Sequence, residues 1–152
     1  MGEVFCKACF HAIGTGMNAV SIREKLREAG LRPTRQRVSL ASLLFAGGDR
    51  HVSAESLHAE AQRAKAGVSL ATVYNTLNQF TAAGLLREVA IEGSRTYFDT
   101  NVSNHIHFFL EDEERLVDIP AEGLKMIGLP EAPAGREISR VDVIIRLAPS
   151  KA

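Results

Sequence analysis

The sequence predicts an α+β protein, in which an N-terminal winged helix-turn-helix domain precedes a small C-terminal α/β domain. Three observations support this prediction. Apolar residues recur at helical spacing up to Gly84. A hairpin pattern follows at once, with strand-like residues 85–91 and 95–99 on either side of Glu92-Gly93-Ser94. Beyond Thr100 the apolar period changes to two, which is typical of β-strands.

The length and charge of the chain restrict the class of protein to which it can belong. The chain has 152 residues and a formal net charge of zero at pH 7, and its length suits one domain or two small ones. Residues 1–100 carry 12 Lys and Arg against 9 Asp and Glu, whereas residues 101–152 carry 6 against 9. No apolar run could cross a bilayer, and the start lacks a signal-peptide layout. We therefore expect a cytoplasmic protein with a basic front and no membrane partner.

Residues 1–20 show no clean periodicity, and we predict a flexible N-terminal extension there. Cys6 and Cys9 are the only cysteines and have C-x-x-C spacing. One such pair cannot complete a four-ligand zinc site, and it lacks the strand-then-helix context of a thioredoxin motif. Reduced thiols in a flexible terminus are the simplest interpretation.

Three helices are predicted before the fourth helix, which is described below. Each of the three is predicted from its own start signal. Ser21 opens the first with Glu24 in a capping box, and Gly30 ends it. Thr34 restarts the chain at the second helix, and Ser53 caps the third. The residues expected on the inner faces of the second and third helices are Val38, Ala41, Leu44 and Phe45, then Leu57, Ala61 and Ala64.

The fourth helix is predicted over residues 69–83, with Ser69 as its N-cap and Gly84 at its C-terminal cap. Its apolar stripe consists of Leu70, Val73, Leu77 and Phe80. Its opposite face consists of Ala71, Thr72, Asn75 and Gln79, with Tyr74 on the flank. Because this face is uncharged and able to hydrogen-bond, it could meet base edges and phosphate oxygens. An ordinary amphipathic helix is the alternative interpretation. With the hairpin as the wing, residues 21–99 form the predicted winged-helix domain.

Residues 100–152 are predicted to form the second domain. His105–Leu110 and Arg115–Ile119 have the pattern of two strands joined by the acidic turn Glu111–Glu114, and residues 120–134 leave room for one short helix. A further strand has one fully apolar face, formed by Val141, Val143, Ile145 and Leu147. Three strands and a short helix make a poor core alone, so we expect a second copy to cover this face in a C₂ dimer.

Histidines and carboxylates in this part of the chain form a candidate metal site. His105 and His107 alternate on one strand, so both imidazoles lie on one face. Taken alone, they are also compatible with two surface histidines on an edge strand. Asp99 lies just before the strand, Asp118 lies on the returning strand, and His51 precedes the third helix. Imidazoles and carboxylates together suit Fe²⁺, Mn²⁺, Zn²⁺ or Co²⁺.

Several short segments resemble a known family. AGLRPTRQR, HVSAE, SLATVYNTL and HIHFF occur in this order between about Ala29 and Ile119. This arrangement resembles the ferric uptake regulator (Fur) family of bacterial metalloregulators. VSLATVYNTLNQ, TYFDTN and LVDIP are most similar to its iron response regulator (Irr) branch. The resemblance implies a transcriptional regulator, not an enzyme, which binds double-stranded operator DNA as a homodimer and dimerises through the C-terminal sheet.

The resemblance assigns roles to individual residues. The metal ligands that it implies are His51, Asp99, His105, His107 and Asp118, with a one-residue shift at Asp99. The DNA contacts are predicted from the polar face of the fourth helix and the basic cluster before it, and they are Arg32, Arg35, Arg37, Ser69, Ala71, Thr72, Tyr74 and Asn75. Asn104 and Ile106 replace the ligands of a second metal site, and Leu110 and Glu113 replace a C-x-x-C pair. We therefore expect one divalent Fe, Mn or Zn ion per subunit and no structural zinc.

Haem is a second candidate ligand, because members of the Irr branch bind it. Cys6, Cys9, His105 and His107 are the candidate haem ligands, and a haem-delivering protein is the corresponding partner. The cysteines lack the following Pro of the branch's haem motif. The predicted function is a metal- and haem-responsive regulator of iron homeostasis. The alternatives are a Fur-family regulator that senses manganese, zinc or peroxide, and a non-haem iron enzyme with a His/His/Asp site.

Overall fold

The structure is a computed structural model of the chain, and it describes residues 19–120, 122 and 124–150. Its elements in chain order are α1 (Ala19–Glu28), α2 (Arg35–Phe45), β1 (His51–Val52), α3 (Ala54–Arg63), α4 (Leu70–Ala82), β2 (Arg87–Ala90), β3 (Thr96–Asp99), β4 (His105–Leu110), β5 (Arg115–Pro120) and β6 (Ile144–Leu147). This mixture of helices and strands confirms the predicted α+β class. Cys6 and Cys9 lie outside the described residues. Within the described ranges, no helix is both long and apolar enough to span a bilayer.

The described residues form two compact units. Unit 1 contains residues up to Ala90 together with Thr96–Asn101, and unit 2 contains Ile91–Arg95 together with the residues from Val102 onwards. Sequence reasoning divided the chain at residue 99. In the structure, the turn of the β2–β3 hairpin belongs to unit 2, in which its Arg95 forms an ion pair of 3.1 Å with Glu114.

Side-chain caps start three of the helices of unit 1. Thr34 accepts a hydrogen bond from the first turn of α2, Ser53 forms a capping box with Ser56, and Ser69 accepts from the backbone of Thr72 at 3.2 Å. The predicted caps of the third and fourth helices are confirmed. The prediction for the first helix was wrong, because α1 already begins at Ala19 and Ser21 lies inside it.

Left-handed residues follow three of the four described helices, namely α1, α3 and α4. Gly30 and Gly84 have φ of 74° and 73°, and each is followed by a backbone bond that closes the last turn, from Leu31 to Leu26 and from Leu85 to Phe80. This is the Schellman arrangement, which favours glycine because a left-handed backbone crowds a Cβ atom. Lys65 takes the same position after α3 with φ 52°, so sequence reasoning missed this stop signal.

The core of unit 1 lies among its four helices and the adjoining strands. Its fully buried members include Ile22, Leu26, Leu40, Leu44, Val52, Leu57, Val73, Leu77, Phe80 and Phe98. Two predicted core positions were wrong. Ala64 is exposed at the end of α3, and Leu70 is 37% exposed because the first side chain of α4 points back beyond the packed turns. Thr76 is buried instead, at 5% exposure.

The wing is a three-stranded sheet and not the predicted two-stranded hairpin. Its strand order is β1-β3-β2, and all neighbours are antiparallel. β1 contains only His51 and Val52, which sequence reasoning placed in a loop. Its register sets His51 opposite Asp99. Two residues that lie 48 positions apart in the printed sequence therefore become neighbours on one sheet.

Unit 2 contains a second three-stranded sheet with strand order β5-β4-β6. β4 and β5 are antiparallel around the predicted acidic turn, and β6 runs parallel to β4. The predicted short helix in residues 120–134 is absent from the described part of that segment. Pro120, Pro130 and Pro133 remove backbone donors there, which opposes a helix.

Candidate nucleic-acid interface and metal ligands

The face of α4 that sequence reasoning assigned to DNA is open to solvent. Ala71 and Asn75 are exposed, and Thr72 is partly exposed. The hydroxyl of Thr72 contacts that of Ser69 at 2.9 Å, in addition to the backbone cap. The polar face is therefore ordered at its N-terminal end by bonds within the helix itself, and this end is where recognition helices meet base edges.

Tyr74 occupies the flank of this face and is 39% exposed. Its hydroxyl donates a hydrogen bond of 2.6 Å to Oε1 of Glu55, in the first turn of α3. Sequence reasoning missed Glu55. The bond orients the phenol ring and places a carboxylate beside this face of α4.

Arg37 is bonded within the protein. Its Nε and Nη2 atoms donate to Oε1 of Gln79 at 3.1 and 2.9 Å, and its Nη1 donates to the carbonyl of Arg32 at 2.9 Å. Three of its five N–H groups are thus engaged. Arg32 and Arg35, the other arginines assigned to phosphate, have exposed side chains.

A groove lies between the start of α2 and the exposed face of α4. Its volume is about 310 Å³. The residues that line it are Thr34, Gln36, Arg37, Thr72, Asn75, Thr76 and Gln79. All of them can donate a hydrogen bond, and the only formal charge among them is positive. The groove is therefore suited to hydrogen-bond acceptors such as phosphate and base-edge oxygens.

The metal-ligand candidates of unit 1 lie next to each other. Asp99 is fully buried, and its Oδ2 lies 3.5 Å from Nε2 of His51. Its Oδ1 accepts a hydrogen bond of 2.8 Å from the backbone N–H of Asn101. Arg87 lies opposite Asp99 on β2 and is 6% exposed. Sequence reasoning missed Arg87, although its place in the alternating pattern of β2 marks it as inward-facing.

The candidates of unit 2 form a cluster of three. His105 and His107 are 7% and 2% exposed, and their Nε2 atoms lie 2.9 Å apart. Oδ1 of Asp118 lies 3.3 Å from the first of these atoms and 3.4 Å from the second. The register explains the convergence, since His107 is directly opposite Asp118. The alternative of two surface histidines is therefore wrong.

The backbone orients His105 for ligation. Its Nδ1 lies 2.9 Å from the carbonyl oxygen of Ser103. Because a carbonyl can only accept, Nδ1 carries the hydrogen, which leaves Nε2 as the nitrogen whose lone pair can bind a metal ion. Metal-binding histidines commonly have this support on the nitrogen that faces away from the ion.

The donor set of unit 2 fits a divalent transition metal. Two ligands at about 2.1 Å from one ion lie about 3.0 Å apart in an octahedron and about 3.4 Å apart in a tetrahedron. The three separations in the cluster span 2.9 to 3.4 Å. Two axial haem ligands would instead lie about 4 Å apart, on opposite sides of the iron. The spacing of His105 and His107 therefore favours a simple cation over joint axial ligation of haem.

Comparison with known proteins identifies relatives of the chain. The model of the ferric uptake regulator family matches residues 28–142. The ferric uptake regulation protein of Pseudomonas aeruginosa is 40% identical over 81 residues, which cover 53% of this chain and 60% of that protein. The peroxide-responsive repressor PerR of Staphylococcus aureus is 32% identical over 93 residues, which cover 61% and 62%. The alignments thus span less than two thirds of these two relatives.

Solved structures show the same fold. The ferric uptake regulator of Pseudomonas aeruginosa, solved with manganese, superposes with a TM-score of 0.64 at 26% identity. The superposition covers 86% of this chain and 98% of that one. The aligned part of the chain therefore includes residues of both units.

Proposed function

Because the chain belongs to the ferric uptake regulator family, we propose that it binds operator DNA as a metal-responsive homodimer in the cytoplasm. Members of this family are transcriptional regulators, so the enzyme alternative is set aside. We further propose that the chain regulates iron homeostasis in the manner of the Irr branch. The observation that carries the proposal is the exposed, uncharged polar face of α4, capped by Ser69 and flanked by Tyr74.

In this proposal, each subunit places α4 in a major groove, and the half-sites lie about one helical turn apart. Asn75 pairs with adenine, because its amide can donate and accept at once. Thr72 contacts a phosphate or a thymine methyl group, and the ring of Tyr74 contacts a thymine methyl group, because its hydroxyl donates to Glu55. Arg32 and Arg35 hold phosphates, which makes binding fall steeply with salt.

Asn75→Ala is expected to change base preference and not only affinity. Loss of a bidentate base contact weakens binding to the preferred duplex by about 1 to 3 kcal/mol and relaxes selection at that base pair. Selection from a randomised duplex library, followed by gel shifts over a salt series, measures both effects. Arg136→Ala, an exposed cation of unit 2, is the control and keeps the wild-type preference. An unchanged preference in Asn75→Ala would refute the base-reading role.

The proposed metal ligands come from both parts of the chain. They are His51 and Asp99 from the wing sheet, and His105, His107 and Asp118 from the second sheet. One divalent cation can accept lone pairs from several carboxylates and imidazoles at the same time. By ligating it together, these residues restrict the angle between the two units. The restriction raises the share of dimers that fit two successive grooves, which is a population shift.

His51→Ala tests this coupling, because His51 lies on β1 of unit 1, whereas the other proposed histidine ligands lie on β4 of unit 2. We expect it to weaken metal binding and to reduce the gain in DNA affinity that metal produces in the wild type. Titration with Mn²⁺ or Fe²⁺, with and without duplex, measures both quantities. His58→Ala removes another histidine of the same unit and serves as the matched control. Wild-type metal stoichiometry and DNA affinity in His51→Ala would contradict the proposed coupling of the two units by the metal.

Dimerisation is proposed through the apolar face of the second sheet. On this face Phe108 lies opposite Ile145 and Leu110 opposite Leu147, and the two β6 residues are 36% and 37% exposed. A second copy would cover these side chains, as the burial of apolar area favours. Sedimentation equilibrium tests this point, since a monomer at micromolar concentration would exclude it.

The sensed ligand has alternatives. The relative that responds to peroxide and the similar structure solved with manganese both support a Fur-family regulator that senses another signal. Haem remains a prediction for Cys6, Cys9, His105 and His107, as does a haem-delivering partner. Metal analysis and the visible absorption spectrum of protein purified from its own host distinguish these alternatives. The predicted absence of a structural zinc is tested by the same metal analysis.

A further inference from the structure

The contact between Arg37 and Gln79 links the start of α2 to the exposed face of α4. These residues are 42 positions apart, and two donors of the guanidinium converge on one amide oxygen. Gln79 follows Asn75 by one helical turn, so both amides lie on the same face. Both also line the groove between the two helices.

The chemistry of this contact fixes the orientation of Gln79. Arginine carries donors only, so the atom that faces it must be the carbonyl oxygen of the amide. The two guanidinium N–H groups occupy both lone pairs of that oxygen. Among the residues that the structure describes, none bonds the Nε2 atom of Gln79. The amide therefore presents its two N–H donors and no acceptor.

We propose that Gln79 is a further DNA-contacting residue, which donates hydrogen bonds to an acceptor of the operator, and that Arg37 is its positioning residue. The inference rests on the proposed function, since it assumes that α4 meets a duplex. It reassigns Arg37 from a direct phosphate contact to a residue that acts through another side chain.

The orientation restricts what Gln79 can recognise. The bidentate pairing of glutamine with adenine needs the carbonyl oxygen to accept from N6, and Arg37 occupies that oxygen. Gln79 instead suits acceptors alone, which are O6 and N7 of guanine, O4 of thymine, or a phosphate oxygen. A base contact and a phosphate contact share this donor chemistry and differ in their dependence on sequence.

A double-mutant cycle tests the proposal, with Arg37→Lys, Gln79→Ala and the double variant. Lysine keeps the positive charge but cannot form the fork. The probes are a randomised duplex library and the duplex that the wild type enriches. We expect each single variant to weaken binding to that duplex about tenfold, and the double variant to bind within about twofold of Gln79→Ala. Additive losses would show that Arg37 contacts DNA by itself and would overturn the proposal.

The library distinguishes the two sources of the acceptor. If Gln79 reads a base, Gln79→Ala relaxes selection at one base pair, and Arg37→Lys shifts that position towards adenine, because the freed amide can then pair with it. If Gln79 holds a phosphate, Gln79→Ala weakens all duplexes alike and leaves base preference unchanged. Either result supports a donor contact.

Two further variants control for effects of the substitutions on folding or on overall charge. Gln79→Glu keeps a partner for Arg37 but presents no donor, so it must bind more weakly than the wild type. Arg136→Ala is the control for the loss of a distant positive charge. If the wild type binds duplex DNA and Gln79→Ala or Gln79→Glu binds as the control does, this inference alone fails. If the wild type binds no duplex, the proposed function fails as well.

Discussion

His107→Ala is expected to lower the affinity for a divalent metal by more than about 100-fold, because changes in residues that only support a ligand already cost about 10- to 100-fold. His107 is 2% exposed, and its Nε2 atom lies 2.9 Å from that of His105 and 3.4 Å from Asp118. Its removal leaves only His105 and Asp118 in the cluster, and His105 loses its closest partner. No other described histidine of unit 2 can take its place, since His105 is already part of the cluster.

The metal-dependent gain in stability measures this loss. A ligand present at about 100 times its dissociation constant raises the free energy of unfolding by about 2.7 kcal/mol. Wild-type protein should show a gain of this size with Mn²⁺ and lose it on addition of a chelator, whereas His107→Ala should gain less than about 0.4 kcal/mol. His58→Ala should behave as the wild type. A normal gain in His107→Ala would exclude the cluster of unit 2 as the metal site.

Leu77→Ala is expected to destabilise the protein by about 2 to 5 kcal/mol, because it removes a fully buried side chain from the core of unit 1. Leu70→Ala is its matched control on the same helix. Leu70 is 37% exposed, so its replacement should cost less than about 1 kcal/mol. Helix propensity cancels in the comparison, since both variants replace leucine with alanine in α4. The difference therefore reports packing alone.

Denaturant unfolding followed by far-UV circular dichroism measures both free energies of unfolding. The two positions look equivalent in the sequence, where they belong to one apolar stripe of α4. Equal costs for Leu77→Ala and Leu70→Ala would mean that a surface outside unit 1 buries Leu70. In that case, the exposed N-terminal end of α4 would not be free for a duplex.

The candidate site divides into parts that the sequence predicts and parts that it does not. The H-x-H pattern of His105 and His107 is visible because alternate residues of one strand share a face. Asp118 follows from the acidic turn, which returns its strand beside the first one. Buried Arg87 and the strand pairing of His51 were not predicted. Nothing in a two-residue strand such as β1 distinguishes it from a loop, because its pattern is too short to show a period.

The sequence likewise did not predict the contacts between helices on the proposed DNA face. Glu55 reaches Tyr74 across 19 positions, and Arg37 reaches Gln79 across 42. Both pairs depend on how α2 and α3 pack against α4, and helical periodicity describes each helix only by itself. The sequence therefore proposed the face but not the residues that orient its side chains.

By itself, the sequence determined the α+β class, the caps Ser53 and Ser69, the glycine stops and the strands that carry the histidines. These features arise from interactions within a few residues, and such interactions leave a local pattern. Only the tertiary structure decided that β1 joins the wing sheet, that Leu70 is exposed, and that Arg37 bonds the amide oxygen of Gln79. These outcomes depend on which distant segments become neighbours, because packing and strand register, and not local preference, select the partner of each side chain.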